Sequence, residues 1–68
     1  MGNVIHRNTK WLKVRRVSQD FCKSFPEEFI IYKDEFDRWT GIDKKKTFYS
    51  FSVSHLRNEN LLTILEQQ

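Results

Sequence analysis

Residues 24–42 read Ser24-Phe25-Pro26-Glu27-Glu28-Phe29-Ile30-Ile31-Tyr32-Lys33-Asp34-Glu35-Phe36-Asp37-Arg38-Trp39-Thr40-Gly41-Ile42. The fold turns on whether this stretch is a helix. Ser24 and Glu27 have the spacing of a capping box, in which the hydroxyl accepts from the Glu27 N–H while the carboxylate reaches back. Pro26 stands in the first turn, where its missing N–H costs nothing, and Glu27 and Glu28 suit the positive end of a helix dipole. Phe29, Tyr32, Phe36 and Trp39 follow at helical spacing as one aromatic stripe. Gly41 then stands where a left-handed residue would end the helix, with Ile42 as its apolar companion. These signals predict a helix over 25–40. Phe29-Ile30-Ile31-Tyr32 taken alone reads as a strand and is the rival.

Working outward, Trp11, Val14, Val17, Phe21, Cys22 and Phe25 recur at threes and fours, with Asn8 or Thr9 as a cap, and predict a helix over 10–23. A strand over Trp11–Val17 competes with it, because Leu12-Lys13-Val14-Arg15 also alternates. Leu61, Leu62, Ile64 and Leu65 predict a terminal helix over 58–67, capped by Asn58. In 47–53, Tyr49, Phe51 and Val53 alternate with Ser50 and Ser52, which is strand periodicity. A lone strand needs a partner from within the chain or from a second molecule. The expected fold is therefore mainly α, a compact three- to four-helix domain with one undecided segment at 47–53. The alternative is α+β with a small sheet.

At 68 residues the chain reads as a single domain, 1–68, with residues 1–9 as a flexible arm or short strand. Cys22 is the only cysteine, which excludes an internal disulfide and fits an intracellular setting, cytoplasmic or nuclear/nucleoid. Ten aromatic residues must supply the core. No apolar run is long enough to span a bilayer, so no membrane is expected.

Charge is sorted along the chain. Residues 1–25 sum to +5, residues 26–43 to −4 and residues 44–68 to +2, giving the net +3. Sorted charge favours macromolecular partners. Lys10, Lys13, Arg15 and Arg16 gather beside Trp11, and Lys44, Lys45 and Lys46 run into Phe48 and Tyr49. Cations neutralise phosphates and aromatics stack on bases, so these seven residues are the candidate nucleic-acid contacts of a small non-catalytic regulator. The alternative is a protein-interaction module or inhibitor. It would use Asp34, Glu35, Asp37 and Trp39 on helix 25–40 against a basic partner, or an exposed strand at 47–53.

Catalysis finds little material: Cys22, His6 and His55 are far apart, and no metal-ligand spacing or phosphate-binding glycine loop occurs. No enzyme activity, cofactor or metal is expected. Arg15-Arg16-Val17-Ser18 fits a basophilic kinase site, where a phosphate on Ser18 would weaken the basic block.

Gly41-Ile42 followed by Phe48 and Phe51 is similar in spacing to the turn and recognition-helix entry of tetracycline-repressor-type helix-turn-helix domains. The resemblance covers about a dozen residues and breaks at Ser52–Arg57. It implies that residues 44–51 form a DNA-facing helix.

Overall fold

Phe29 and Ile31 point to one side and Glu28 and Ile30 to the other, so the deciding stretch is built on a period of two. The computed structural model describes residues 3–68. In it the chain forms β1 (Trp11–Arg16), β2 (Glu28–Lys33), β3 (Trp39–Ile42), β4 (Phe48–Phe51), a short α1 (Val53–Arg57) and β5 (Leu62–Gln67). All five strands join one antiparallel sheet in the order β4-β3-β2-β1-β5. The first four strands follow one another as a meander. After α1 the chain returns to lay β5 along the free side of β1, with an irregularity in register at Lys13/Val14.

The expected mainly helical fold is thus overturned by a β-rich one. Helix 10–23 is replaced by β1 and a long loop, and its strand rival over Trp11–Val17 is the reading that holds. Helix 25–40 is the β2–β3 hairpin. Helix 58–67 is mostly β5, with Asn58 accepting from Asn60 in a turn before the strand. Residues 48–51 pair with β3, so the DNA-facing helix implied by the repressor resemblance does not form.

Each helical signal in residues 24–42 has another use. Phe29 and Trp39 are core, while Phe36 stands exposed at the hairpin tip and Tyr32 is half-buried on the outer face. Ser24 uses its C=O to accept from Lys44 N–H at 3.0 Å. Gly41 lies mid-strand because a Cβ there would come within 2.9 Å of the Phe51 ring and 3.1 Å of Phe25. The missing side chain makes room for two aromatic rings.

The β2–β3 and β3–β4 turns share one construction. Asp34 Oδ1 accepts from the N–H groups of Phe36 and Arg38, both at 2.9 Å, and Asp43 Oδ1 accepts from Lys45 and Thr47 at 2.9 and 2.8 Å. Three residues after each aspartate the chain takes positive φ, at Asp37 (65°) and Lys46 (68°). This is the tight turn followed by a left-handed residue that closes many hairpins, made here without glycine.

Leu12, Val14, Phe25, Phe29, Ile31, Trp39, Phe51, Leu56 and Leu62 form the buried core. The 17–27 loop contributes Phe25 and α1 contributes Leu56. At roughly 1.5–3 kcal/mol for each large apolar side chain removed from water, this cluster is the main source of stability. Residues 3–9, expected as an arm, run beside β5. Asn3 Nδ2 donates to the carbonyls of Leu56 and Leu62 at 3.1 and 2.7 Å, and Thr9 is buried. Residues 1 and 2 of that expected arm lie outside the described residues.

Candidate functional site

The sheet has two edges, β4 and β5. At the β4 edge, Asp43 N–H donates to Thr47 C=O at 3.0 Å, which marks 43 and 47 as a hydrogen-bonded pair. In an antiparallel ladder such pairs alternate. Gly41↔Tyr49 and Trp39↔Phe51 are then also hydrogen-bonded pairs, and the N–H and C=O of Phe48 and Ser50 point away from β3. Four backbone hydrogen-bonding groups therefore face off the open edge. Phe48 is 65% exposed beside them, and Tyr49 44%.

Against the same edge lies a hollow of about 330 Å³, walled by Phe21, Cys22, Phe25, Tyr49, Phe51 and His55. The walls are held in place by ring-to-ring contacts. Phe21 meets Phe51 and His55 edge-on at centroid distances of 6.4 and 5.6 Å, and Phe25 stands 5.5 Å from Tyr49. Arg16 fixes the loop that carries Phe21 and Cys22 by donating to the carbonyls of Cys22 (3.1 Å) and Phe25 (2.8 Å). Burial pushes the Cys22 thiol up from its ordinary value, with the Arg16 charge opposing.

The basic residues singled out in the sequence do not form one face. Lys44, Lys45 and Lys46 occupy the β3–β4 turn, while Lys10 lies before the first residue of β1, at the other end of the strands. A six-residue strand separates those ends by about 20 Å. Lys13 sits mid-strand opposite Glu66 in register. Arg15 is bound to Glu28 at 2.8 Å, and its hydrogen bond, foremost, holds the Glu28 carboxyl below the ordinary range. Arg16 is tied to the loop carbonyls described above. The arrangement offers the nucleic-acid reading no continuous basic stripe.

The acidic set loses its helix: Asp34, Glu35 and Asp37 share the turn between β2 and β3 instead of a helical face, and Trp39 separates from them into the core. Trp39 is 5% exposed and cannot be a contact residue. Asp34 organises its own turn and bonds Arg38, and Asp37 lies 3.6 Å from Lys33. The expected interaction face on a 25–40 helix therefore does not exist. Ser18 is half-buried and its hydroxyl accepts from Asp20 N–H. Among the described residues no group of His, Cys, Asp and Glu is placed to hold a metal, and no helix is long and apolar enough to cross a membrane.

Of the expected strand at 47–53, only Phe48–Phe51 is strand, as β4; Ser52 caps α1 and Val53 opens it, so Val53 does not continue the Tyr49/Phe51 face. Sequence reasoning missed the aromatic hollow and the strut made by Arg16. Phe21 and Cys22 reach it from the 17–27 loop, Tyr49 and Phe51 from β4 and His55 from α1, so no local spacing announces it. Compared with known proteins, the chain matches no family model, no curated protein and no solved structure.

Proposed function

We propose that this chain is a non-catalytic protein-interaction domain that receives an extended segment of another protein along the open edge of β4. The observation that carries the reading is the pairing of four outward backbone groups at Phe48 and Ser50 with the aromatic hollow beside them. An added strand gains main-chain hydrogen bonds from the edge, and its alternate side chains fall on one face. Those on the Tyr49/Phe51 side meet the hollow, which is large enough for an apolar side chain. At the turn end of β4, Lys44, Lys45 and Lys46 are exposed and favour a segment with acidic residues there. The partner segment is therefore extended, apolar at alternate positions and acidic at one end. With its lone thiol the domain is assigned to a reducing, intracellular setting.

The test is a titration with a synthetic peptide of alternating leucine and glutamate, read on backbone amides, for the wild-type chain and for Ser50→Pro. The substitution removes an edge donor without touching the β3–β4 ladder, so the variant stays folded. Saturable shifts at Phe48–Phe51 and the hollow, lost in Ser50→Pro, support the proposal. Equal binding by the variant overturns it, and so does concentration-dependent self-pairing through β4 with no response to peptide.

A further inference from the structure

At the opposite end of the strands from the Lys44–Lys46 turn is a second and larger concavity, a cleft of about 600 Å³. It is bounded by residues 4–10, the end of β2, the start of β3 and α1. Its charged lining consists of Arg7, Lys10, Lys33 and Arg57 against the single carboxylate of Asp37. The excess is three positive charges, equal to the net charge of the whole chain. Outside the cleft eight cations balance eight carboxylates, so the net positive charge of this protein resides here.

Three of these cations have no internal duty. Among the described residues, ion pairs form at Arg15, Lys23, Lys33 and Arg38, and none at Arg7, Lys10 or Arg57. Lys33 is pinned from two directions, with its Nζ 3.6 Å from Asp37 and 5.3 Å from the centroid of the buried Trp39 ring. The cleft thus has a fixed cationic floor and three free cationic arms. Like charges gathered around a concavity repel one another, and an anion seated among them relieves that repulsion while low-dielectric walls focus the field. The volume falls within the range of small-molecule sites, and Val4, Ile5 and Val53 add an apolar component to the wall.

We propose that this cleft binds a small organic ligand bearing two phosphate groups. One phosphate monoester carries about −1.5 to −2 charges at neutral pH and leaves an excess of cation, so a second phosphate is needed to match three. Arg7 and Arg57 supply guanidinium forks, which grip phosphate oxygens in pairs, and Lys10 acts as a point charge. A small ligand is favoured over a polymer because the other exposed cation cluster, Lys44–Lys46, stands at the opposite end of the strands, so no continuous basic track leads out of the cleft for a long backbone to follow. The site is separate from the β4 edge, and either one can fail without the other.

Pyrophosphate is the probe, titrated into the full chain at low salt and followed through backbone amides and melting temperature, with citrate and a single-stranded oligonucleotide in parallel. Expected are saturable shifts at Lys10, Trp39, Val53 and Arg57 with Phe48–Phe51 unmoved, a rise in melting temperature, and weaker binding of citrate. Arg7→Gln and Arg57→Gln, both at exposed positions, should each weaken pyrophosphate about tenfold or more, as loss of a charge-assisted contact requires. Lys13→Gln, outside the cleft, should leave the affinity unchanged. Shifts spread equally over Lys44–Lys46, unchanged affinity in both arginine variants, or tighter binding of the oligonucleotide than of pyrophosphate would each overturn the assignment.

Discussion

The two edges of this sheet are finished in different ways. β5 is tethered at both ends by the segment before β1: Asn3 donates to the Leu62 carbonyl, and the Gln67 side chain accepts from His6 N–H and Thr9 Oγ1 while donating to Val4 C=O. The β1–β5 ladder is also broken in register, a device that discourages further pairing. β4 has none of this. It carries no proline, lysine or bulge within Phe48–Phe51, it is the last strand on its side of the sheet among the described residues, and it shows Phe48 and Tyr49 to solvent. A bare aromatic edge is an aggregation hazard unless something docks there. The chain thus covers one edge with its own N-terminal segment and leaves the other bare, and the bare edge is the one the proposed docking would use.

Removing a seal tests the comparison most severely. Leu62 opens β5 and is fully buried. Leu62→Ala should cost about 2–5 kcal/mol, a large share of what a domain this size possesses. Thermal or urea unfolding measures it, and a loss under about 1 kcal/mol would mean the β5 side contributes little to the core. Gln67→Ala removes three hydrogen bonds that are partly open to water and should cost about 1 kcal/mol. Its amides in β5 should then exchange faster while those of β4 keep their rate. Unchanged β5 exchange would show that the N-terminal segment does not guard that edge.

Much of the sheet was written in local alternation, and the parts that misled did so for physical reasons. Tyr49 and Phe51 between serines announced β4, and Leu12-Lys13-Val14-Arg15 announced β1. Residues 25–40 were misread because two strands joined by a five-residue turn happened to place Phe29, Tyr32, Phe36 and Trp39 at helical spacing. The turn itself hid, since Asp37 takes positive φ without being glycine. Tertiary packing then overrode local preference: Gly41 answers to the Phe25 and Phe51 rings instead of to a helix end. The edge strand was legible as a candidate site. The cleft was not, because Arg7, Lys33 and Arg57 converge only once residues 4–10, β2 and α1 are in place.

Acid should separate the edges further. Burial raises the Asp43 carboxyl, but hydrogen bonds from Thr47 N–H, the Ser24 hydroxyl and Lys45 N–H, with the Lys45 charge, outweigh it and hold the group below its ordinary value. At Asp34 the Arg38 N–H is the main cause of a shift in the same direction. A carboxyl depressed in the folded state adds stability above its unfolded value, and that contribution is lost as pH falls through the folded value. The two aspartate turns hold β4 and β3 to the sheet, whereas Leu62 and Gln67, which anchor β5, do not titrate. Below the ordinary carboxylate range the β4 amides should therefore exchange sooner than those of β5. Simultaneous loss of both edges would deny the turns this local role.

The smallest effect on stability should accompany a clear effect on contact. Phe36 and Phe48 are nearly equal in exposure, at 67% and 65%, but Phe36 stands at the β2–β3 turn under the Arg38 guanidinium, 5.0 Å from its ring centroid, while Phe48 stands on the open edge. Neither ring supports the core, so Phe36→Ala and Phe48→Ala should each change unfolding free energy by no more than about 0.5 kcal/mol. An added strand would cover Phe48 on the outer face of β4 and leave Phe36 in water. Loss of that covered area should weaken an edge-docked peptide about tenfold in Phe48→Ala, with its backbone donors intact, and leave Phe36→Ala equal to wild type. Peptide affinity measured for the pair decides the matter: equal weakening by both would point to generic stickiness of exposed rings, and no weakening by Phe48→Ala would move the docking surface off β4.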